Sequence, residues 1–269
     1  MQDETGKTGE TPLFQDIGDD SAFIQRYGER IGVGMAAVIY VRDGIAAKVF
    51  RENKPKTDAF QEAYAMAVVN ELNVPSPRVY GVETFCNRTV LLMDAVKGTS
   101  LLDMMLKDTR RVPYVLDTVA RLQAALHAIE FSGFRTMKIM LQAMITASPG
   151  LAPAEKERLT KLLAQLPEDI RLCHGDFHGG NILCDGDSCI IIDWGEVSCG
   201  SPAADACRSY MDYYIARQGY EEQYLDAYCA VTGRTREEIL AWLPVVVGSV
   251  YGYLTPEAQK IVRPLFKTI

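Results

Sequence analysis

Between residues 172 and 194 the sequence sets three oxygen-bearing side chains at a spacing few folds accommodate. The stretch reads Cys173-His174-Gly175-Asp176-Phe177-His178-Gly179-Gly180-Asn181 and, after a short apolar run, Ile191-Ile192-Asp193-Trp194. Asp176 and Asn181 lie five residues apart in one glycine-rich loop, and Asp193 closes a strand-like segment. A carboxylate to orient an attacking hydroxyl, with a carboxamide and a second carboxylate to hold a hard cation against phosphates, is the equipment of phosphoryl transfer. An aspartate in such a loop is by itself ordinary turn chemistry. The joint occurrence of His174, Asp176, Asn181 and Asp193 is what points to Mg²⁺ and a nucleoside triphosphate.

Upstream the pattern is that of a small sheet. Met35 to Val41 and Ile45 to Phe50 are strand-like runs joined by the turn Arg42-Asp43-Gly44. Apolar positions 60, 63, 66, 67, 68 and 72 predict a helix over 58–72, which Val74-Pro75-Ser76-Pro77 stops. Val79–Val82 and Thr89–Met93 are further strands. Gly32-Val33-Gly34-Met35-Ala36-Ala37 is a degenerate glycine-rich loop, a weak signal alone. Lys48 lies in an apolar strand, where burial is costly without a partner, and Glu62 on the following helix is the expected one.

After Gly98 the chain turns helical, with predicted helices at 101–106, 114–129 and 155–166 and more from Ala203 onward. The loop-rich stretch 172–202 interrupts them, with Ile190–Ile192 as a short strand. The expected organisation is a polar tail over 1–18, a nucleotide-binding lobe over 19–93, a hinge over 94–98 and a helical lobe over 99–269.

Composition narrows the alternatives. The net charge of −7 on 269 residues disfavours a nucleic-acid partner. Ile239–Leu254 is uncharged but shorter than a bilayer span and holds Pro244, Gly248 and Gly252, so no membrane partner is expected. The polar start carries no leader-like apolar run. The seven cysteines contain no C-x-x-C pair, which predicts reduced thiols, no disulfide or zinc site, and a cytoplasmic location. Composition does not set the oligomeric state.

Together these motifs resemble the aminoglycoside phosphotransferase and choline-kinase-like superfamily, from about residue 28 onward. Gly32–Tyr40 resembles its nucleotide loop, Leu92–Gly98 its hinge and Leu126-His127-Ala128 its Leu-His helix signature. His174–Asn181 resembles its H-G-D-x-H-x-x-N loop, Ile192–Trp194 its I-D-W motif and Gly200–Asp205 its G-x-P-x-x-D segment. Gly179 departs from the pattern where many members carry proline, which predicts a more flexible loop.

The resemblance implies an α+β, protein-kinase-like two-lobed fold: a small N-terminal antiparallel sheet with one helix, and a larger helical lobe. It implies a small-molecule O-kinase using ATP or GTP and Mg²⁺. In that scheme Asp176 is the base or hydroxyl-orienting carboxylate, and Asn181 and Asp193 bind the metal. Lys48 meets the α/β-phosphates, with Glu62 as its anchor. Gly32 and Gly34 form the nucleotide loop, and His178 is placed to touch the γ-phosphate. The backbone of Asp94 and Val96 meets the adenine edge, with Met93 behind it, and Ile31, Ile39, Ala46, Leu183 and Ile192 sandwich the base.

His127, His174 and Asp205 are expected to be structural, and the tyrosines at 210, 213, 214, 220, 224 and 228 to be core. Glu196 and Asp212 are the candidate acceptor contacts. With Glu221, Glu222 and Asp226 they favour an amine-bearing alcohol such as an aminoglycoside. A protein kinase is disfavoured because Gly175 stands where regulated kinases carry arginine, and because Asp193 and Asp205 are only twelve residues apart. A non-catalytic nucleotide-binding module is the remaining alternative.

Overall fold

The computed structural model describes residues 19–216 and 219–266; the tail expected over 1–18 lies outside them. The chain divides into two compact units. One takes the chain up to Ala67 with Pro77–Val96, the other Val68–Ser76 with Lys97 to the C-terminus.

The first unit is built on strands β1 (Glu29–Val33), β2 (Ala37–Arg42), β3 (Ile45–Phe50), β4 (Val79–Phe85) and β5 (Arg88–Asp94). They form one antiparallel sheet in the order β1-β2-β3-β5-β4. Alternation along the strands gives the sheet two different faces. One carries Val38, Tyr40, Ala47, Val49 and Val90, which pack with Phe23 and Tyr27 of α1 (Ser21–Tyr27) into an apolar core. Pairing of Ile39 with Lys48, and of Ala46 with Met93, puts Ile39, Ala46, Lys48 and Met93 together on the other face.

Helix α2 (Lys56–Glu71) differs from its expected facing. Its buried positions are Ala59, Glu62, Ala65, Met66 and Val69, while Phe60 is 57% exposed. A charged residue sits in the buried stripe, so the apolar pattern misidentified the face. Helix α1 and strand β1 were not anticipated either.

The second unit is mainly helical. It begins with the short strand β6 (Thr99–Ser100), then α3 (Leu101–Lys107), whose N-cap Ser100 accepts the Asp103 amide at 3.0 Å. Next come α4 (Val112–His127), α5 (Met137–Ala147) and α6 (Pro153–Gln165), then β7 (Arg171–Cys173). The hairpin β8 (Ile182–Asp185) and β9 (Ser188–Ile191) follows, then β10 (Ser198–Gly200), which pairs with β7. Helices α7 (Pro202–Ala216), α8 (Glu221–Thr232), α9 (Arg236–Leu240), α10 (Leu243–Val250) and α11 (Pro256–Val262) complete it. Helix α4 packs on α8 and α7, and α10 packs on α5, α6 and α7. The uncharged stretch 239–254 is thus core, and no helix among the described residues is long and apolar enough to cross a membrane.

The expectation of uniformly reduced cysteines is corrected. Cys184 and Cys189 face each other across β8 and β9, with Cα atoms 4.1 Å apart, and form a disulfide. A C-x-x-x-x-C spacing is no disulfide signature in sequence; the tight hairpin creates it. The argument from thiols to a compartment falls with it.

Candidate active site

The loop after β7 is suspended from one buried carboxylate. Asp205, in the first turn of α7, accepts the Gly175 amide at 2.7 Å on one oxygen. Its other oxygen takes His127 Nε2 at 2.9 Å, Gln123 Nε2 at 3.1 Å and the His174 amide at 3.3 Å. Burial works against the charge, but the His127 and Gln123 hydrogen bonds prevail and hold the carboxyl below its usual range. Tyr228 lies 2.6 Å from His127 Nδ1, and Tyr224 donates to Gln123. Of the six tyrosines expected in the core, Tyr210, Tyr213, Tyr224 and Tyr228 are buried, while Tyr214 and Tyr220 are half-buried. The ligating atoms of His127, Cys173 and Asp205 lie within 4.8 Å of one another. Asp205's oxygens are filled by donors and burial keeps the Cys173 thiol protonated, so the trio is a hydrogen-bonded core.

His174 sets the distance between the two halves of the motif. Its Nε2 donates to the Ile192 carbonyl at 3.1 Å, and its Nδ1 accepts the Asp176 amide at 3.3 Å. That is the neutral tautomer, and burial, which lowers its pKa, favours it. The imidazole therefore bridges the backbones next to Asp176 and Asp193. Gly175 has φ +86°, and a Cβ there would lie 2.3 Å from the Glu196 carbonyl oxygen, so only glycine allows this approach.

Asp176 is held on both oxygens. Arg208 Nη2 donates to Oδ1 at 2.9 Å, and Asn181 Nδ2 donates to Oδ2 at 3.2 Å and to the Asp176 carbonyl at 2.9 Å. His178 Nδ1 accepts the Gly180 amide at 3.0 Å, and its Nε2 faces Oδ2 at 3.6 Å. Burial alone would raise the Asp176 pKa; His178 and the Arg208 charge outweigh it and keep the carboxyl well below the usual range. Gly179 is buried in a 3₁₀ turn capped by His178, so the loop is anchored where added flexibility was expected.

The carboxamide of Asn181 spends its NH₂ on Asp176, which turns its Oδ1 away from that residue as an oxygen donor. Asp193 adopts the left-handed conformation, φ +66° and ψ +68°, and its side chain is exposed. An amide oxygen and a carboxylate are hard donors of the kind Mg²⁺ takes, so the residues fit that ion. Leu183 and Ile192 lie on one face of the β8–β9 hairpin, opposite to Ile182, Ile191 and the disulfide.

In the first unit, Lys48 Nζ bonds both oxygens of Glu62, at 2.7 and 2.8 Å, and both side chains are buried. Lys48→Met is expected to destabilise the protein by about 1–3 kcal/mol, limited because the stranded carboxyl can protonate. Urea unfolding measures this, and a change near zero would contradict a buried, dependent pair. Gly32 lies in β1 opposite Ile39, and Gly34 in the β1–β2 turn, where its amide bonds the Ala37 carbonyl at 2.9 Å. Ile31 is exposed. The Asp94 amide bonds the Arg78 carbonyl and the Ala95 amide the Gly44 carbonyl, both at 2.9 Å, while Val96 follows the strand end. Asp94's side chain is pulled to a pKa of about 2, chiefly by Arg78.

Two site residues differ from expectation. Asp212, proposed to meet substrate, has its oxygens at 3.1 and 3.2 Å from Arg208 Nε. Burial pushes its carboxyl up despite that partner. Arg208 itself was missed. The i,i+4 spacing to Asp212 was visible, but its bond to Asp176 spans 32 residues.

Residues 29–241 match the sequence profile of the phosphotransferase enzyme family. The chain belongs to the phosphotransferase enzyme family. Among solved structures, this family member is similar to an apo thermostable mutant of aminoglycoside phosphotransferase APH(4)-Ia, with 17% identity and a TM-score of 0.68 over 91% of this chain and 97% of that one. It is similar to an aminoglycoside-3'-phosphotransferase of type VIII, with 22% identity and a TM-score of 0.62 over 85% and 96%. A choline/ethanolamine kinase family protein from Mesorhizobium loti follows at 16% identity and a TM-score of 0.61 over 89% and 85%. These likenesses establish the protein-kinase-like α+β fold. No curated protein matches this phosphotransferase in sequence.

Proposed function

We propose that the protein transfers the γ-phosphate of ATP or GTP to a hydroxyl of a small molecule. The observation that carries this reading is the Asp176 carboxylate, kept ionised and fixed on both oxygens by Arg208 and by the Asn181 NH₂. A carboxylate so held is a weak base, suited to aligning a hydroxyl and taking its proton late, as a loose phosphoryl-transfer transition state asks. The acceptor oxygen bonds to the γ-phosphorus as the bond to the β–γ bridging oxygen breaks. The acceptor proton passes to Asp176 and the nucleoside diphosphate leaves with the bridging oxygen.

In this scheme Asn181 and Asp193 hold Mg²⁺, which when bound offsets the phosphate charge. Lys48, oriented by Glu62, meets the α/β-phosphates and His178 the γ-phosphate. Gly32 and Gly34 carry the nucleotide loop. Met93, Asp94 and Val96, with Ile31, Ile39, Ala46, Leu183 and Ile192, receive the base. A protein substrate fits less well, because the residues between Asp193 and α7 are taken up by a 3₁₀ turn and β10.

Asp193→Ala is expected to remove the Mg²⁺ dependence of nucleotide binding. Calorimetry with ATP, with and without Mg²⁺, checks this; equal dependence in variant and parent would move the metal elsewhere. The amine-bearing acceptor drawn from the acidic segment has less to bind than its composition promised. Asp212 is paired with Arg208, and Glu222 and Asp226 with Arg236.

A further inference from the structure

A narrow pocket in the helical unit opens beside the catalytic loop. Met137, Met140 and Met144 of α5 form one wall and Val246 and Val250 of α10 another. Gly175 borders it next to Asp176, and Arg208 lines it while its Nη2 bonds the Asp176 carboxylate. The pocket therefore ends one residue and one hydrogen bond from the oxygen that would align an acceptor.

The wall is a designed apolar stripe. Positions 137, 140, 141 and 144 share one helical face, and Met140, Leu141 and Met144 stay only half-buried. Thioether chains are polarisable and adaptable, suited to groups of irregular outline. The polar groups around the stripe are already engaged with partners of their own. Asp205 borders the pocket with both oxygens filled by donors. Ser249 donates its hydroxyl to the Val246 carbonyl at 2.7 Å. The Arg208 guanidinium is shared between the Asp176 and Asp212 carboxylates, and Glu196 is exposed at the rim.

Resting on the phosphotransferase reading, we propose that this pocket receives an uncharged, apolar end of the acceptor alcohol, whose hydroxyl lies beyond Arg208 at Asp176. The acceptor is then a lipophilic alcohol, with any charged group left outside the pocket.

The test uses the full chain labelled with ¹³C in its methionine methyl groups, in Mg²⁺ and AMP-PNP. Conservative Met→Leu substitutions at 137, 140 and 144 assign the signals. The probes are 1-hexanol and 2-phenylethanol against choline and hygromycin B. The expected result is saturable movement of the Met140 and Met144 methyls with the apolar alcohols and none with the cations. Met140→Glu is expected to weaken that binding about tenfold or more, because it puts a charge in the wall. Movement with choline or hygromycin B, or none with either apolar alcohol, overturns the proposal. Nucleotide turnover is read separately as ADP release. Release stimulated only by cations leaves the phosphotransferase reading standing and sinks the pocket assignment. Methyl shifts without any ADP release, intrinsic or stimulated, keep the pocket and sink the phosphotransferase reading.

Discussion

Asp176→Ala is expected to lower phosphoryl transfer by roughly 10²–10⁴-fold, the range for loss of a positioned proton-accepting group. Nucleotide affinity should change little, because the proposed contact of this carboxylate is with the acceptor hydroxyl rather than with the nucleotide. Its side chain is 28% exposed, so folding should survive. Single-turnover ADP release and calorimetry with Mg²⁺ and ATP separate the two effects. Asp176→Asn is the companion: its oxygen can still accept from Arg208, but it cannot take a proton as a carboxylate does. Turnover of either variant within a few-fold of the parent would remove Asp176 from the chemistry.

Asp205→Ala is expected to be the most damaging single change to stability, at about 3–5 kcal/mol, because it strands buried donors that now share one charge. The Gly175 and His174 amides, His127 and Gln123 all lose their acceptor. The fall in Tm should be on the order of 10 °C. The carboxyl is held below its ordinary pKa in the folded protein. Its contribution is therefore present above the unfolded value of about 4 and fades as pH drops through the lower folded value. Thermal unfolding across that range should find the gap between parent and variant narrowing in acid. A gap below about 1 kcal/mol at neutral pH, measured by urea unfolding, would mean the network is not carried by this residue.

What could be read in the sequence was local. The loop from His174 to Asn181 and the short strand at 190–192 that leads into Asp193 are encoded within two dozen neighbouring residues, and glycine-rich turn chemistry and an apolar run announce them. The paired β2 and β3 strands were equally plain. What escaped depends on partners distant in sequence or on faces rather than elements. Helix α2 and the Lys48–Glu62 pair were expected, but Phe60, counted in the apolar periodicity, is exposed while Ala59 is buried, because the ion pair turns the Glu62 face toward the sheet. Helix α5 went unnoticed, although Met137, Met140, Leu141 and Met144 repeat at helical spacing. Cys184 and Cys189 lacked a recognisable motif until the hairpin set them opposite each other. Arg208 has a visible helical neighbour in Asp212, but nothing local ties it to Asp176.

The suspension of the Asp176 loop from Asp205 has a kinetic corollary. Loops that carry reactive groups usually sample open forms far more often than the core does. Here the amide protons of His174 and Gly175 are donated to a carboxylate fixed by α4 through His127 and Gln123, with Tyr228 and Tyr224 of α8 behind them. Their exchange with deuterated solvent should follow the rare opening of the helical unit as a whole, on the timescale of its most protected helices. The turn at Gly186, with no comparable anchor, should exchange at once. The Asp176 carboxylate thus inherits the lifetime of the scaffold, and a substitution that loosens α4 against α8 reaches it through two hydrogen bonds.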